Sequence, residues 1–173
     1  MGRTILLTGR PGVGKTTIIR EIAQRLGAAA GGFYTAEIRE SGRRQGFKLV
    51  TLDGKEGILS HVDITDTPRV SGYGVNLRDL EEIGVTALRR AVAEAQCVVV
   101  DEIGKMELLS DEFRMAIVEA IESDSTVVGT VMTSRNQWVD RIKNLPQVTV
   151  LEVTRDNREQ MVPLVMELLQ SPS

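Results

Sequence analysis

The sequence predicts an α/β fold: three layers, α/β/α, around a mainly parallel central sheet that an antiparallel β-meander extends. Three observations predict it. Short, apolar, β-branched runs alternate with amphipathic helical stretches, the pattern of a parallel sheet covered on both faces. Between the first strand and the first helix lies Gly9-Arg10-Pro11-Gly12-Val13-Gly14-Lys15-Thr16, which fits G-x-x-x-x-G-K-[ST]. Residues 31–62 interrupt the alternation with three strands joined by turns.

The elements follow in order. Arg3-Thr4-Ile5-Leu6-Leu7-Thr8 reads as a buried parallel strand. After the glycine-rich loop, Ile18, Ile19, Ile22 and Leu26 share one helical face, and Gly27 is a suitable stop. Residues 32–39 and 46–52 read as strands, with Asp53-Gly54 as a hairpin signal and a weaker third strand over 56–62. Arg39, Arg43 and Arg44 read as a solvated hairpin tip. Residues 63–76 are turn-rich and long for a connector, as functional loops often are. A helix is predicted over 80–94, a buried strand over 96–101, and a helix over 110–122 capped by Ser110. A strand over 126–132, a short helix over 136–144 and a last strand over 147–153 follow. The final helix is expected to start at Asn157 with Gln160 completing a capping box, and to bend at Pro163.

The chain has 173 residues, 42% of them hydrophobic and 26% charged, with a net charge of −3. That suits a single domain, 1–173, with residues 31–62 as a meander inserted within it. No domain-scale basic field is present, which disfavours nucleic acid as a partner. One cysteine, Cys97, excludes an intramolecular disulfide and a cysteine zinc cluster. No apolar run approaches the ~18 residues of a membrane helix. The expectation is a soluble, cytoplasmic protein with no membrane partner.

The glycine-rich loop carries the chemistry of phosphate binding. Its glycines allow close backbone approach, and successive N–H groups with the helix start form an anion-binding nest. Lys15 places a cation at the β- and γ-phosphates of a nucleoside triphosphate, and the Thr16 hydroxyl can ligate Mg²⁺. Thr17 is counted with this nucleotide-binding stretch. The second element is Cys97-Val98-Val99-Val100-Asp101-Glu102, an apolar strand ending in two acids. Asp101 fits the carboxylate that holds Mg²⁺, through a bound water because Mg²⁺ sheds water reluctantly. Glu102, directly after it, can accept a proton from a water aligned on the γ-phosphorus. Catalytic roles are therefore expected for Lys15 and Glu102. Lys105, Thr133, Ser134 and Arg135 are further candidates: a second phosphate cation, two water-positioning hydroxyls and a cis arginine finger. Glu107 is expected to pair locally.

Asp101-Glu102-Ile103-Gly104-Lys105-Met106-Glu107-Leu108 resembles the signature of the small P-loop nucleoside-triphosphatases known from thermophiles and as a cancer-related nucleoside-triphosphatase. Gly31-Gly32-Phe33, Arg69-Val70, Tyr73-Gly74-Val75-Asn76 and Asn157-Arg158 agree with it, so the resemblance spans nearly the whole chain. It implies a fold related to RecA- and AAA-type ATPases, with core strand order 147–153, 3–8, 126–132, 97–101, 32–39. It implies slow, Mg²⁺-dependent hydrolysis of ATP, GTP and other nucleoside triphosphates. Glu102 falls on the family's catalytic glutamate. Residues 9–16 and Cys97, Val98, Val99, Val100, Asp101, Glu102, Ile103 and Gly104 fall on its nucleotide-binding segments. Two other readings stay open on the residues alone: a P-loop kinase for a small molecule or nucleotide, and a regulatory NTP-binding module. A kinase-type arrangement would place strand 3–8 directly beside strand 97–101.

Overall fold

The structure is a computed structural model that describes residues 1–171. Nine strands form one sheet: β1 (Thr4–Thr8), β2 (Ala30–Glu40), β3 (Arg43–Thr51), β4 (Glu56–His61), β5 (Arg69–Val70), β6 (Tyr73–Val75), β7 (Cys97–Ile103), β8 (Thr126–Val131) and β9 (Val148–Glu152). Their order is β5-β6-β4-β3-β2-β7-β8-β1-β9. β9, β1, β8, β7 and the start of β2 pair in parallel. From β2 outward through β3, β4, β6 and β5 every pairing is antiparallel. The core order is the one expected, and β8 separates β1 from β7.

β2 belongs to both halves. Ala30–Phe33 pair with β7 in parallel, and Phe33 onward pair with β3. The strands approach so closely at Gly32 (φ 116°) that a Cβ there would stand 2.0 Å from the Val99 carbonyl oxygen. Only glycine fits that position.

Helices cover both faces of the parallel half. They are α1 (Lys15–Leu26), α2 (77–94), α3 (Asp111–Glu122), α4 (Gln137–Lys143) and α5 (Arg158–Gln170). Side-chain alternation along the strands sorts the core into two layers. Ile5, Leu7, Cys97 and Val99 pack with Ile18, Ile19 and Ile22 of α1 and with Met161, Val162 and Val165 of α5. Leu6, Val98 and Val100 face the other way, onto Leu88 of α2, Phe113 and Ile117 of α3, and Val139 and Ile142 of α4.

Three local expectations are corrected. The helix predicted over 80–94 begins earlier, with an α turn over Leu77–Asp79 and a π-helical segment over Leu80–Val85 before the α-helical Thr86–Glu94. Asn76 caps it, its side chain accepting from the Asp79 N–H at 3.1 Å. The loop 63–76 contains a hairpin, β5–β6, turning at Ser71 (φ 51°) and Gly72 (φ 84°). No capping box forms at α5: the Asn157 side chain accepts from the Thr154 N–H (2.8 Å) and donates to the Glu152 carbonyl (2.9 Å), tying the loop after β9. Pro163 lies inside α5, which continues as helix to Gln170.

Candidate active site

The loop between β1 and α1 is shaped by three glycines with positive φ: Gly9 (152°), Gly12 (79°) and Gly14 (110°). A Cβ on Gly9 would lie 2.6 Å from the Val153 carbonyl oxygen, so the loop seats against the end of β9 only because that residue is glycine. Val13 turns inward and anchors the loop in the core. The Lys15 ammonium folds across the loop and donates to the carbonyls of Gly9 and Arg10, the second at 3.3 Å.

At the C-terminal end of β7 the adjacent acids are treated differently. Asp101 is 1% exposed. Its Oδ2 accepts from the Thr16 hydroxyl at 3.0 Å and from the Thr35 N–H and hydroxyl at 3.4 Å; its Oδ1 accepts from the Thr130 hydroxyl at 2.6 Å. Burial pushes the Asp101 carboxyl above its usual range, and these hydrogen bonds oppose the shift. Glu102 is half-buried and accepts no hydrogen bond among the described residues. Burial raises its pKa, the Asp101 charge adds to the rise, and the Lys15 cation pulls it back. Gly104 makes room for it: a Cβ there would stand 2.6 Å from Glu102 Oε1.

One cleft of 460 Å³ brings these parts together. Gly9, Gly12, Gly14, Lys15, Thr16 and Thr17 line one side, with Glu102, Lys105, Thr133 and Ser134 beside them. Its other wall is the antiparallel half of the sheet: Thr35, Glu37, Arg44, Phe47 and Leu59 from the meander and Tyr73 from β6. Other predicted residues stand elsewhere. Cys97, Val98, Val99 and Val100 are core and position the acids from behind, with Ile103 buried too. Arg10 is exposed and does not line the cleft. Arg135 lies outside it, its side chain 95% exposed and paired with Asp140 at 3.4 Å.

Four participants escaped the sequence reading. Thr35 and Thr130 hold Asp101, and the signal was present in Thr130, a hydroxyl inside an otherwise apolar strand. Glu107 lines the cleft while only 4% exposed. No cation pairs with it among the described residues, so the expected local ion pair is absent. Burial and then the Glu102 charge push its carboxyl well above the usual range, against backbone N–H groups at Glu107 and Gly104. Arg44 is the fourth. It is no free hairpin tip: its Nε donates to the Tyr73 hydroxyl at 2.9 Å and its guanidinium stacks on two rings.

The Thr16 hydroxyl and the Asp101 carboxylate, hydrogen-bonded at 3.0 Å, are the hard oxygen donors that would hold Mg²⁺ here, Thr16 directly and Asp101 through a bound water. Among the described residues no group of three or more His, Cys, Asp or Glu gathers into a cage. A cation held here must share phosphate and water oxygens, as Mg²⁺ in nucleotide sites does.

The model of an NTPase family matches residues 4–166. The chain belongs to that NTPase family. A nucleoside-triphosphatase THEP1 of Thermotoga sp. (strain RQ2) is 49% identical over 166 residues, covering 96% of this chain and 95% of that one. The human cancer-related nucleoside-triphosphatase is 38% identical over 187 residues, covering 99% and 98%. The crystal structure of THEP1 from Aquifex aeolicus superposes with a TM-score of 0.89 at 36% identity over 97% of this chain and 99% of that chain. The solution structure of a human cancer-related nucleoside triphosphatase gives 0.84 at 38% identity, covering 99% and 100%. The α/β P-loop fold and the nucleotide-binding, hydrolase character are thereby those of this chain. No helix among the described residues is long and apolar enough to cross a membrane.

Proposed function

We propose that the protein hydrolyses nucleoside triphosphates to diphosphate and phosphate in this cleft, with Mg²⁺ and with Glu102 as general base. One observation carries the reading: of two adjacent carboxyls, Asp101 is immobilised by three hydroxyl side chains and one backbone N–H, while Glu102 remains unbonded in the cleft that Lys15 lines. A fixed acid suits a metal site; an unbonded one suits proton transfer. Membership of the NTPase family supports the hydrolytic outcome.

Each residue's task follows from its chemistry. The loop N–H groups and the start of α1 bind the phosphates, and Lys15 leaves its loop carbonyls for the β- and γ-oxygens. Thr16 and Asp101 would hold Mg²⁺, which when bound neutralises charge on those oxygens. Glu102 accepts a proton from the water attacking the γ-phosphorus; the bond from that phosphorus to the β–γ bridging oxygen breaks and the diphosphate leaves. Thr133 and Ser134, just past β8 between β1 and β7, supply hydroxyls to orient the water.

The kinase alternative is weaker. β8 stands between β1 and β7, and the connection from β8 to β9 carries only the short α4, with no arginine-rich lid. Broad base tolerance is part of the proposal, because the loops around Trp138 and residues 154–157 offer no paired reader of a base edge. Phosphate release from ATP, GTP, CTP and UTP, with and without Mg²⁺, tests it. Release from all four, lost on chelation, with kcat/KM for ATP and GTP within about tenfold, or ~1.4 kcal/mol, is expected. Release without Mg²⁺, or a hundredfold preference for one base, contradicts it.

A further inference from the structure

The meander gives this cleft a second wall, and the strand order sets that wall next to β7, which carries Asp101 and Glu102. The glycine-rich loop follows β1; β8 and then β7 bring Thr133, Ser134 and Glu102; β2 and β3 come next. Beyond the acid that faces the γ-phosphorus, the next side chains lining the cleft are Thr35, Glu37, Arg44 and Phe47. Arg44 is the one arginine among the residues that line it.

Its guanidinium is held in place. It lies 5.0 Å from the ring centre of Phe47 and 5.6 Å from that of Tyr73, rings that meet edge-on at 5.7 Å. Nε donates to the Tyr73 hydroxyl at 2.9 Å, and Nη1 lies 3.3 Å from Glu37 Oε1. Glu37 is itself engaged by Arg39 at 2.7 Å. A surface arginine ordinarily samples many rotamers, whereas ring stacking and a fixed Nε set the plane of this one. Among the described residues nothing accepts from Nη2. A planar, preorientated fork with donors to spare suits the oxygens of a phosphoryl group.

We propose that Arg44 is a catalytic cation supplied in cis by the meander, its guanidinium contacting γ-phosphoryl oxygens as the bond to the β–γ bridging oxygen breaks. The water oxygen bonds to phosphorus, its proton passes to Glu102, and the diphosphate takes the bond's electrons. Arg44 meets the charge spread over the equatorial oxygens, where such a cation acts most strongly. Tyr73 and Glu37 are positioning residues. The proposal rests on the hydrolase reading above.

The test compares wild type with Arg44→Ala, Arg44→Gln, Arg44→Lys and Lys15→Ala. Calorimetry measures MgADP affinity with and without aluminium fluoride, the planar mimic of the transferring phosphoryl group; quench-flow measures single-turnover ATP hydrolysis. Arg44→Ala and Arg44→Gln should bind MgADP within about threefold of wild type. They should lose at least ~10³-fold in both the fluoride-dependent affinity and the single-turnover rate, the low side of what an arginine finger contributes. Arg44→Lys should recover less than tenfold, because a point charge lacks the fork. Tyr73→Phe should cost only a few-fold, in rate rather than MgADP affinity. Hydrolysis and fluoride affinity within threefold of wild type in Arg44→Ala overturn the proposal; so does an equal loss of MgADP affinity, which marks a ground-state role. If the fluoride complex forms equally well in Lys15→Ala, the phosphate-site reading itself fails and takes the proposal with it.

Discussion

The parallel and antiparallel halves of the sheet meet along β2 and solve different problems. In the parallel half, polar groups at the site are buried and fixed by topology. Asp101 sits at the end of a strand flanked on both sides, and each neighbour offers a hydroxyl: Thr130 from β8, Thr35 from β2, with Thr16 from α1 above. In the antiparallel half the charged site-facing groups are half-exposed and held by neighbouring side chains, Arg44 by Tyr73, Phe47 and Glu37. Backbone pairing between buried strands delivers rigidity where the proposed Mg²⁺ would be held. Side-chain clamping delivers a charge to a wall that solvent also reaches. The first should be intolerant of substitution through stability and binding, the second through rate alone.

The largest expected effect lies at the loop. Lys15→Ala removes the cation that bonds its own loop carbonyls and, in the proposed mechanism, would turn to the phosphates, and should nearly abolish nucleotide affinity and turnover. Normal binding and hydrolysis by that variant would remove the phosphate cradle from the account. Next comes Gly104→Ala. Its methyl would displace the Glu102 carboxylate rather than any backbone, so kcat should fall on the order of 10–100-fold with the melting temperature little changed. A fall in stability with normal kcat would show that Gly104 serves the turn and not the acid. Thr130→Val leaves Asp101 Oδ1 buried without its 2.6 Å donor and should cost about 1–3 kcal/mol of unfolding free energy. The matching change across the molecule, Arg43→Ala at the exposed hairpin tip, should cost less than ~0.5 kcal/mol. Denaturant titrations of the two variants side by side would blur the distinction between the halves if their losses were equal.

A smaller effect should appear with pH. Glu107 has a carboxyl raised well above its reference value of 4.5 by burial and the Glu102 charge. The folded state therefore binds more protons than the unfolded chain between that value and the raised one. Its contribution to stability is fully present below the ordinary carboxyl range and is lost as pH rises through the raised value. Glu107→Gln cannot titrate, so urea midpoints of the nucleotide-free protein should fall less steeply with pH over that window. An unchanged slope would mean that Glu107 is no more buried than an ordinary surface acid.

How much of this was legible in the sequence divides along the same line. The parallel core and the glycine-rich loop could be read because two-sided burial writes continuous apolar runs and the loop requires glycine at set positions; the strand order came from the family resemblance alone. Asp101 and Glu102 stood out as acids ending such a run. β5 and β6 were invisible because two- and three-residue strands are too short to show a period. Arg44 read as solvent-facing because the residue that fixes it, Tyr73, lies twenty-nine positions away in that unseen hairpin. Glu107 read as half of a local pair because burial of a carboxyl leaves no local mark. The capping box at α5 failed for a similar reason: Asn157 had a better use, bonding back to the loop after β9.

The division of labour between the two adjacent acids is the centre of the account, and one experiment meets it directly. Nucleotide affinity and single-turnover hydrolysis are measured across Mg²⁺ concentrations for Glu102→Gln and Asp101→Asn. Glu102→Gln preserves shape while removing the proton acceptor. It should bind Mg²⁺-nucleotide within a few-fold of wild type and hydrolyse it roughly 10²–10⁴-fold more slowly at every Mg²⁺ concentration. Asp101→Asn should instead shift the Mg²⁺ dependence to higher concentration. Near-normal hydrolysis by Glu102→Gln, or the same Mg²⁺ shift in both variants, would contradict the assignment.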